Sequence, residues 1–121
     1  MLFRSLVRRV AVTASVQDYA VRLVLATHPE GRYATPQVNQ YLRFGASPRA
    51  AQTIMLAAKV KALLAGRTSV AVEDIRSVAL PALRHRCLLN FEAEAEGIST
   101  DEIVTTVIDT LPTEAPLEAT A

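Results

Sequence analysis

Arg49 lies in the stretch Gly45-Ala46-Ser47-Pro48-Arg49-Ala50, and a long run rich in Ala, Leu and Lys follows it. Ser47 is a favoured helix N-cap residue, and Pro48 suits the first helical position. The arginine therefore falls in the first turn of a helix, where the dipole favours acids over bases. A cation held there on a stiff approach is aimed at something outside the helix. A guanidinium stays charged at any working pH and can grip phosphate oxygens bidentately. Phosphate is thus the ligand that this placement suits. The plain alternative is a solvated surface arginine, and the stretch alone leaves both open.

Other residues with chemical potential are scattered. His28 and His85 are far apart and have no cysteine beside them, so no metal site is expected. Cys87 is the only cysteine; it can form no internal disulfide and reads as a small buried hydrophobe. The chain contains no G-x-x-x-x-G-K-[ST], no G-x-G-x-x-G and no H-E-x-x-H. No Ser, Cys or His sits in a nucleophile motif. Catalysis by this chain alone is therefore not expected. Lys59, Lys61, Arg67, Arg84 and Arg86 read as solvent-facing charges, and Tyr19 as core.

The elements that would position Arg49 follow from composition and periodicity. The chain has 121 residues, enough for one domain, and 50% are hydrophobic. Sparse Gly and abundant Ala and Leu favour helices. Residues 2–12 form a short helix or an extended lead. "TAS" at 13–15 supplies cap residues, and Ser15 with Asp18 approximates a capping box. Val16, Tyr19, Ala20, Leu23, Val24 and Thr27 then recur at helical spacing, with Gln17, Asp18 and Arg22 opposite, which predicts a helix over 16–27. "HPEGRYATP" is a loop, and "QVNQYLRF" has room for one helical turn.

The helix opened by Pro48 is expected to run to Ala65 and stop at Gly66. One face collects Ala51, Ile54, Met55, Ala58, Ala62 and Ala65, and a second stripe holds Leu56, Val60 and Leu63. Such a helix is buried on two sides, the second by this domain or by another. "TSVAV" is strand-like but too short to commit to a sheet. "EDIRSVALPALRHR" is helical, with Ile75, Val78, Ala79, Ala82 and Leu83 inward and Pro81 expected to kink or split it. "LLNFEAEAEG" reads as a connection, partly helical. Ser99 and Glu102 make a second capping-box pattern before Ile103, Val104, Val107, Ile108 and Leu111. Pro112 ends that helix. The expected fold is all-α: a small bundle of about four main helices over residues 1–112, followed by a flexible acidic tail at 113–121.

Charge is divided along the chain. Residues 1–91 carry all 13 Lys and Arg and four of the 12 acids, Asp18, Glu30, Glu73 and Asp74; the other eight acids lie in 92–121. Such a chain can pair with itself or with a partner, or the acidic part can simply be solvated. The basic start, interrupted by Arg4, Arg8 and Arg9, lacks the continuous apolar segment of a signal peptide. No apolar run approaches a membrane span of about 20 residues, so a cytoplasmic protein without membrane contact is expected. Few aromatics and no recognition motif make a nucleic-acid partner the weakest reading.

"VQDYAVRLVLATHP", "YLRFGASPRAAQTIMLAAKVKALLAGR" and "VAVEDIRSVALPALRHRCLLNFEAEAEG", in this order, resemble the C-terminal helical lid of MoxR-type AAA+ ATPases. The resemblance covers about residues 6–111. It implies a lid packed beside a larger α/β nucleotide-binding domain in a chaperone-like ATPase, with neighbouring subunits of a ring and a protein client as partners. ATP and Mg²⁺ would then be cofactors of the whole protein, not of this chain alone. It also implies that Arg49 is the sensor 2 arginine, approaching the terminal phosphate in cis or in trans, with Gly45, Ser47 and Pro48 as the supporting turn. The ATPase domain with its Walker motifs lies outside this sequence, so a truncated, split or independent product are all open. A freestanding helical protein-interaction module that keeps the lid fold is the alternative.

Overall fold

The computed structural model describes residues 2–113, so the expected tail at 113–121, apart from Thr113, lies outside the described residues. In chain order its elements are α1 (Leu2–Arg9), α2 (Ala14–Leu25), α3 (Pro36–Tyr41), β1 (Leu42–Phe44), α4 (Arg49–Leu64), α5 (Val72–Arg84), β2 (Leu88–Leu89), α6 (Phe91–Glu96) and α7 (Thr100–Thr110). The architecture is the expected helical bundle. α2, α4, α5 and α7 supply its core, and α1, α3 and α6 are short additions.

α4 is the central element and packs on α1, α2 and α5, while α7 closes on α5. Its buried face is Ala50, Ile54, Ala58 and Ala62, all fully inaccessible. These positions recur every four residues, and three are alanines, so neighbouring helices approach the α4 backbone closely. Ile54 meets a core built by Tyr19, Leu23, Ile75, Leu83 and Val104. Each such large apolar side chain contributes about 1.5–3 kcal/mol by leaving water.

The expected α4 register is corrected in part: Ala51 and Met55 are half-buried and Ala65 is exposed. The second stripe is only partly covered within the domain: Leu56 is exposed, while Val60 and Leu63 are half-buried. Val78 of α5 is likewise half-buried rather than core.

The helix ends show which signals the chain uses. Thr13, not Ser15, caps α2: its hydroxyl accepts from Val16 N at 3.3 Å. A threonine with extended φ and ψ can do this one turn before the apolar stripe begins. Ser99 caps α7 as expected, accepting from Glu102 N at 3.2 Å. Gly66 and Gly97, at φ of 79° and 73°, end α4 and α6 in the left-handed region that glycine adopts without strain.

Pro81 does not split α5, which runs unbroken through it. Pro81 is exposed, so the Ser77 carbonyl that loses its helical partner lies on the solvent side. Ile75, Ala79, Ala82 and Leu83 stay buried on the other side and hold the helix together.

A small antiparallel sheet pairs β1 with β2, Leu42 opposite Leu89 and Phe44 opposite Leu88, with an irregularity between them. It ties the α3–α4 connection to the α5–α6 connection. A parallel bridge joins Ala11 to Ser69: Ala11 N donates to Thr68 O and Val70 N to Ala11 O, each at 2.9 Å.

Several arginines expected in solvent are engaged. Arg22 is 2% exposed; its Nε donates to Asp18 Oδ2 at 2.8 Å, Nη1 to Pro112 O at 2.7 Å and Nη2 to Thr113 O at 3.2 Å. Periodicity put it on the polar face of α2, but the chain after α7 folds over that face. Arg67 donates both Nη groups to the buried Asp74, which also accepts from Ala71 N at 2.8 Å. The Arg67 guanidinium, aided by the Ala71 amide, holds the Asp74 carboxyl below its usual range against the opposing pull of burial. Arg84 pairs with Asp101 at 2.8 Å, and Arg86 donates to Ala82 O.

Candidate functional site: the turn that presents Arg49

Arg49 is the first residue of α4 and is exposed. Among the described residues no carboxylate comes within ion-pair distance of it. Pro48 before it already has helical dihedrals, φ −56° and ψ −24°. Ser47 O accepts from Ala50 N at 2.9 Å and Pro48 O from Ala51 N at 3.1 Å, so the first turn is tight. Ser47 therefore starts the helix through its carbonyl. Its expected capping by the hydroxyl does not occur among the described residues.

The segment before this turn is fastened to the end of α2. A Cβ at Gly45 would stand 2.5 Å from Thr27 O, so the glycine is required by close approach of two backbones. Ala46 next to it is fully buried. Its N–H donates to Thr27 Oγ1 at 3.0 Å, and its carbonyl lies 2.6 Å from His28 Nε2, which donates as N–H. The Thr27 hydroxyl in turn donates to Val24 O at 2.6 Å. Thr27 is fully buried, and its single hydroxyl is satisfied both as donor and as acceptor.

Cys87 lies against the same knot. Burial pushes its thiol up, while hydrogen bonds with the Thr27 side chain and the Ala46 backbone pull the other way. It is buried and behaves as the small hydrophobe that the sequence implied.

Beside the turn runs a groove of about 500 Å³ between α2 and α4, lined by Val12, Val21, Pro48, Ala51, Met55 and Leu56, with Gln17, Gln52 and Lys59. Its floor is apolar, and Leu56 is 58% exposed there. The site is thus an exposed cation on an anchored turn, whose Pro48 lines an open, mainly apolar groove. It contains no paired acid and base and no nucleophile. Among the described residues no three His, Cys, Asp or Glu side chains come together as metal ligands.

Ser47, Pro48 and Arg49 lie in the turn, and Gly45 lies in the segment that leads into it. Sequence reading missed the two residues that hold the turn. Thr27 was visible as a polar residue at the end of an apolar stripe. His28 carries no sequence signal beyond that of a possible metal ligand.

A second apolar surface lies on the small sheet and α6. Phe44, Leu88 and Phe91 are 57%, 53% and 83% exposed. Phe44 and Leu88 face each other across the strands, and Leu88 and Phe91 share a cleft with Arg43.

No described helix is long and apolar enough to cross a membrane.

The family model described as AAA lid domain matches residues 36–107, a span that includes the Gly45–Arg49 turn. The chain is 38% identical over 94 residues to Chaperone MoxR1 of Mycobacterium tuberculosis, an alignment covering 78% of this chain and 25% of that protein. It is 35% identical over 100 residues to the uncharacterized protein YeaC of Bacillus subtilis, covering 81% of this chain and 28% of that one. A crystal structure of a putative ATPase from Cytophaga hutchinsonii superposes with a TM-score of 0.85 at 38% identity, over 90% of this chain and 33% of the other. The chain thus spans about a quarter of the length of the curated relatives it matches. By the family model, the relatives and the fold together, the chain belongs to the AAA lid domain family.

Proposed function

We propose that this chain is the lid of a chaperone-like AAA+ ATPase of the MoxR type, and that Arg49 is its sensor 2 arginine. In this reading the lid closes on a nucleotide held by a P-loop domain, and Arg49 reaches the terminal phosphate. The observation that carries it is the state of Arg49: exposed, without a carboxylate partner among the described residues, and mounted on a turn anchored in the core. Arg22, Arg67 and Arg84 are paired, whereas Arg32, Arg43 and Arg86 also lack a carboxylate among the described residues, so it is the anchored turn that sets Arg49 apart. The unfavourable cation at a helix start is offset when an anion arrives, because the helix N-terminus itself also attracts it.

The described residues suit one contact to a phosphate and no more. ATP and Mg²⁺ would be held mainly by the nucleotide-binding domain, and the apolar groove between α2 and α4 is a surface that this domain could cover. The partners are that domain and the neighbouring subunits of a ring, in the cytoplasm, with a protein as client.

The test is ATP turnover by the lid joined to a nucleotide-binding domain. Arg49→Ala should lower turnover by about tenfold or more, a loss of at least ~1.4 kcal/mol of transition-state stabilisation. Turnover unchanged by that substitution would leave Arg49 a surface residue. The chain alone should release no phosphate from ATP above a blank.

A freestanding interaction module is the second reading, and the exposed Phe44, Leu88 and Phe91 favour it. It would require partner binding that Phe91→Asp abolishes and Arg49→Ala does not touch.

A further inference from the structure

We infer that Thr27 and His28 are positioning residues for Arg49, so that the C-terminal end of α2 sets where the phosphate-seeking side chain stands. The inference rests on the sensor reading of Arg49 and adds to it the residues through which the rest of the lid would act on that side chain.

The connection is short, and its anchored end is buried. Arg49 follows Ala46 by three residues, and two of the peptide groups between them are held by the tight turn at Ser47 and Pro48. Ala46 is gripped at both of its backbone groups, N–H by the Thr27 hydroxyl and C=O by His28 Nε2. Gly45 lies so close to the Thr27 carbonyl that a methyl group would be 2.5 Å from it. The Thr27 hydroxyl closes the chain back onto Val24 O in the body of α2. A turn fixed at this many points moves with α2 as one body.

The polar groups in the knot cannot be replaced by water without opening it, since Thr27 and Ala46 are fully buried. An unpartnered buried amide is costly, so the Thr27 hydroxyl is needed at this position even though it touches no ligand. The same hydroxyl also hydrogen-bonds with the Cys87 thiol, so it ties the turn to the segment after α5 as well as to α2. An element that must deliver a side chain to a reacting group within a fraction of an ångström benefits from such support.

The test has two arms. On the chain alone, amide exchange is compared for wild type, Thr27→Val, Thr27→Ser and His28→Gln. Thr27→Val keeps the shape and removes the hydroxyl, so exchange at Ala46 and Ala50 should rise about tenfold or more relative to amides in α7. Thr27→Ser should restore protection. If Thr27→Val fails to fold, His28→Gln carries the same comparison, because His28 is only partly buried. Unchanged protection at Ala46 overturns the inference.

In the second arm the lid is joined to a nucleotide-binding domain and ATP turnover is measured as a double-mutant cycle. Thr27→Val should lower kcat about threefold or more with KM for ATP changed less than about twofold, and Thr27→Ser should recover it. On an Arg49→Ala background Thr27→Val should cause no further loss, because its effect passes through Arg49. Additive losses overturn the positioning role, as does a Thr27→Val enzyme with full turnover when Arg49→Ala has lost it; both leave the sensor reading standing. If Arg49→Ala itself keeps full turnover, the sensor reading fails, and the positioning of the turn is decided by the exchange arm.

Discussion

Arg49 projects from a turn whose rigidity comes from its neighbours, so removing its side chain should leave the turn intact. Arg49→Ala is expected to change the stability of the chain by no more than about 0.5 kcal/mol, as at ordinary surface sites, which chemical denaturation would measure. Arg49→Lys should be a poor functional substitute, because an ammonium cannot grip two oxygens as a planar fork. Tyr19 shows the opposite situation. It is fully buried, and its hydroxyl finds no partner among the described residues. Burial raises its pKa, the expected consequence of desolvating a group that would otherwise ionise. Tyr19→Phe removes only that unsatisfied hydroxyl, so the midpoint of thermal unfolding should stay level or rise; a clear fall would reveal a partner for the hydroxyl. Arg49 was legible in the sequence because a glycine, a serine and a proline mark its helix start, although the serine hydroxyl does not cap it. Thr27 and His28 were not, because their partners lie 18 and 19 residues away and are backbone atoms, which no local pattern announces.

Among the elements, α4 has the most to lose from a polar change. Ala58 is fully buried where α4 meets its neighbours, so Ala58→Asp would place an unpaired carboxylate in the core. The cost should be about 3 kcal/mol or more, enough to abolish a cooperative melt in a marginal domain. A melt unchanged by this substitution would contradict the packing around α4. The four main helices could be read from periodicity, since α2, α5 and α7 carry clear apolar stripes and α4 is long and free of breakers. Their limits were less legible. Thr13 outcompeted Ser15 as the cap of α2, and Pro81 was absorbed because one face of α5 is firmly packed. The β1–β2 pair escaped notice because strands of three and two residues carry no detectable alternation. The α4 register drifted toward Ala51 and Ala65 because a helix so rich in alanine gives a weak contrast between its faces.

For the molecule as a whole, the division of charge seen along the sequence becomes a fold that closes on itself. Asp101 and Asp109 from the acidic part meet Arg84 and Arg76, the second pair at a loose 3.8 Å. These pairs are partly exposed and contribute little each, so moderate salt should barely shift the melt. The buried Asp74 is different. Its folded pKa lies below the unfolded reference of about 3.9, so its contribution is present above that pH and is lost as pH falls through the folded value. Asp74→Asn should therefore lower stability at neutral pH and flatten the acid limb of a stability–pH curve; an unchanged limb would show that other carboxylates dominate it. The clamp of Arg22 on Pro112 O and Thr113 O has a consequence in time rather than in energy. It joins positions 90 and 91 residues apart, so it closes the longest loop among the hydrogen bonds described here. Contacts of that span form late on the way to the native state and break early on the way out. Arg22→Ala should thus speed unfolding while leaving the folding rate nearly unchanged, a lopsided change in the two arms of a chevron plot. Slower folding instead would put the clamp in the transition state. With the clamp absent from that state, Arg22 sets how long the folded lid persists, not how quickly it forms.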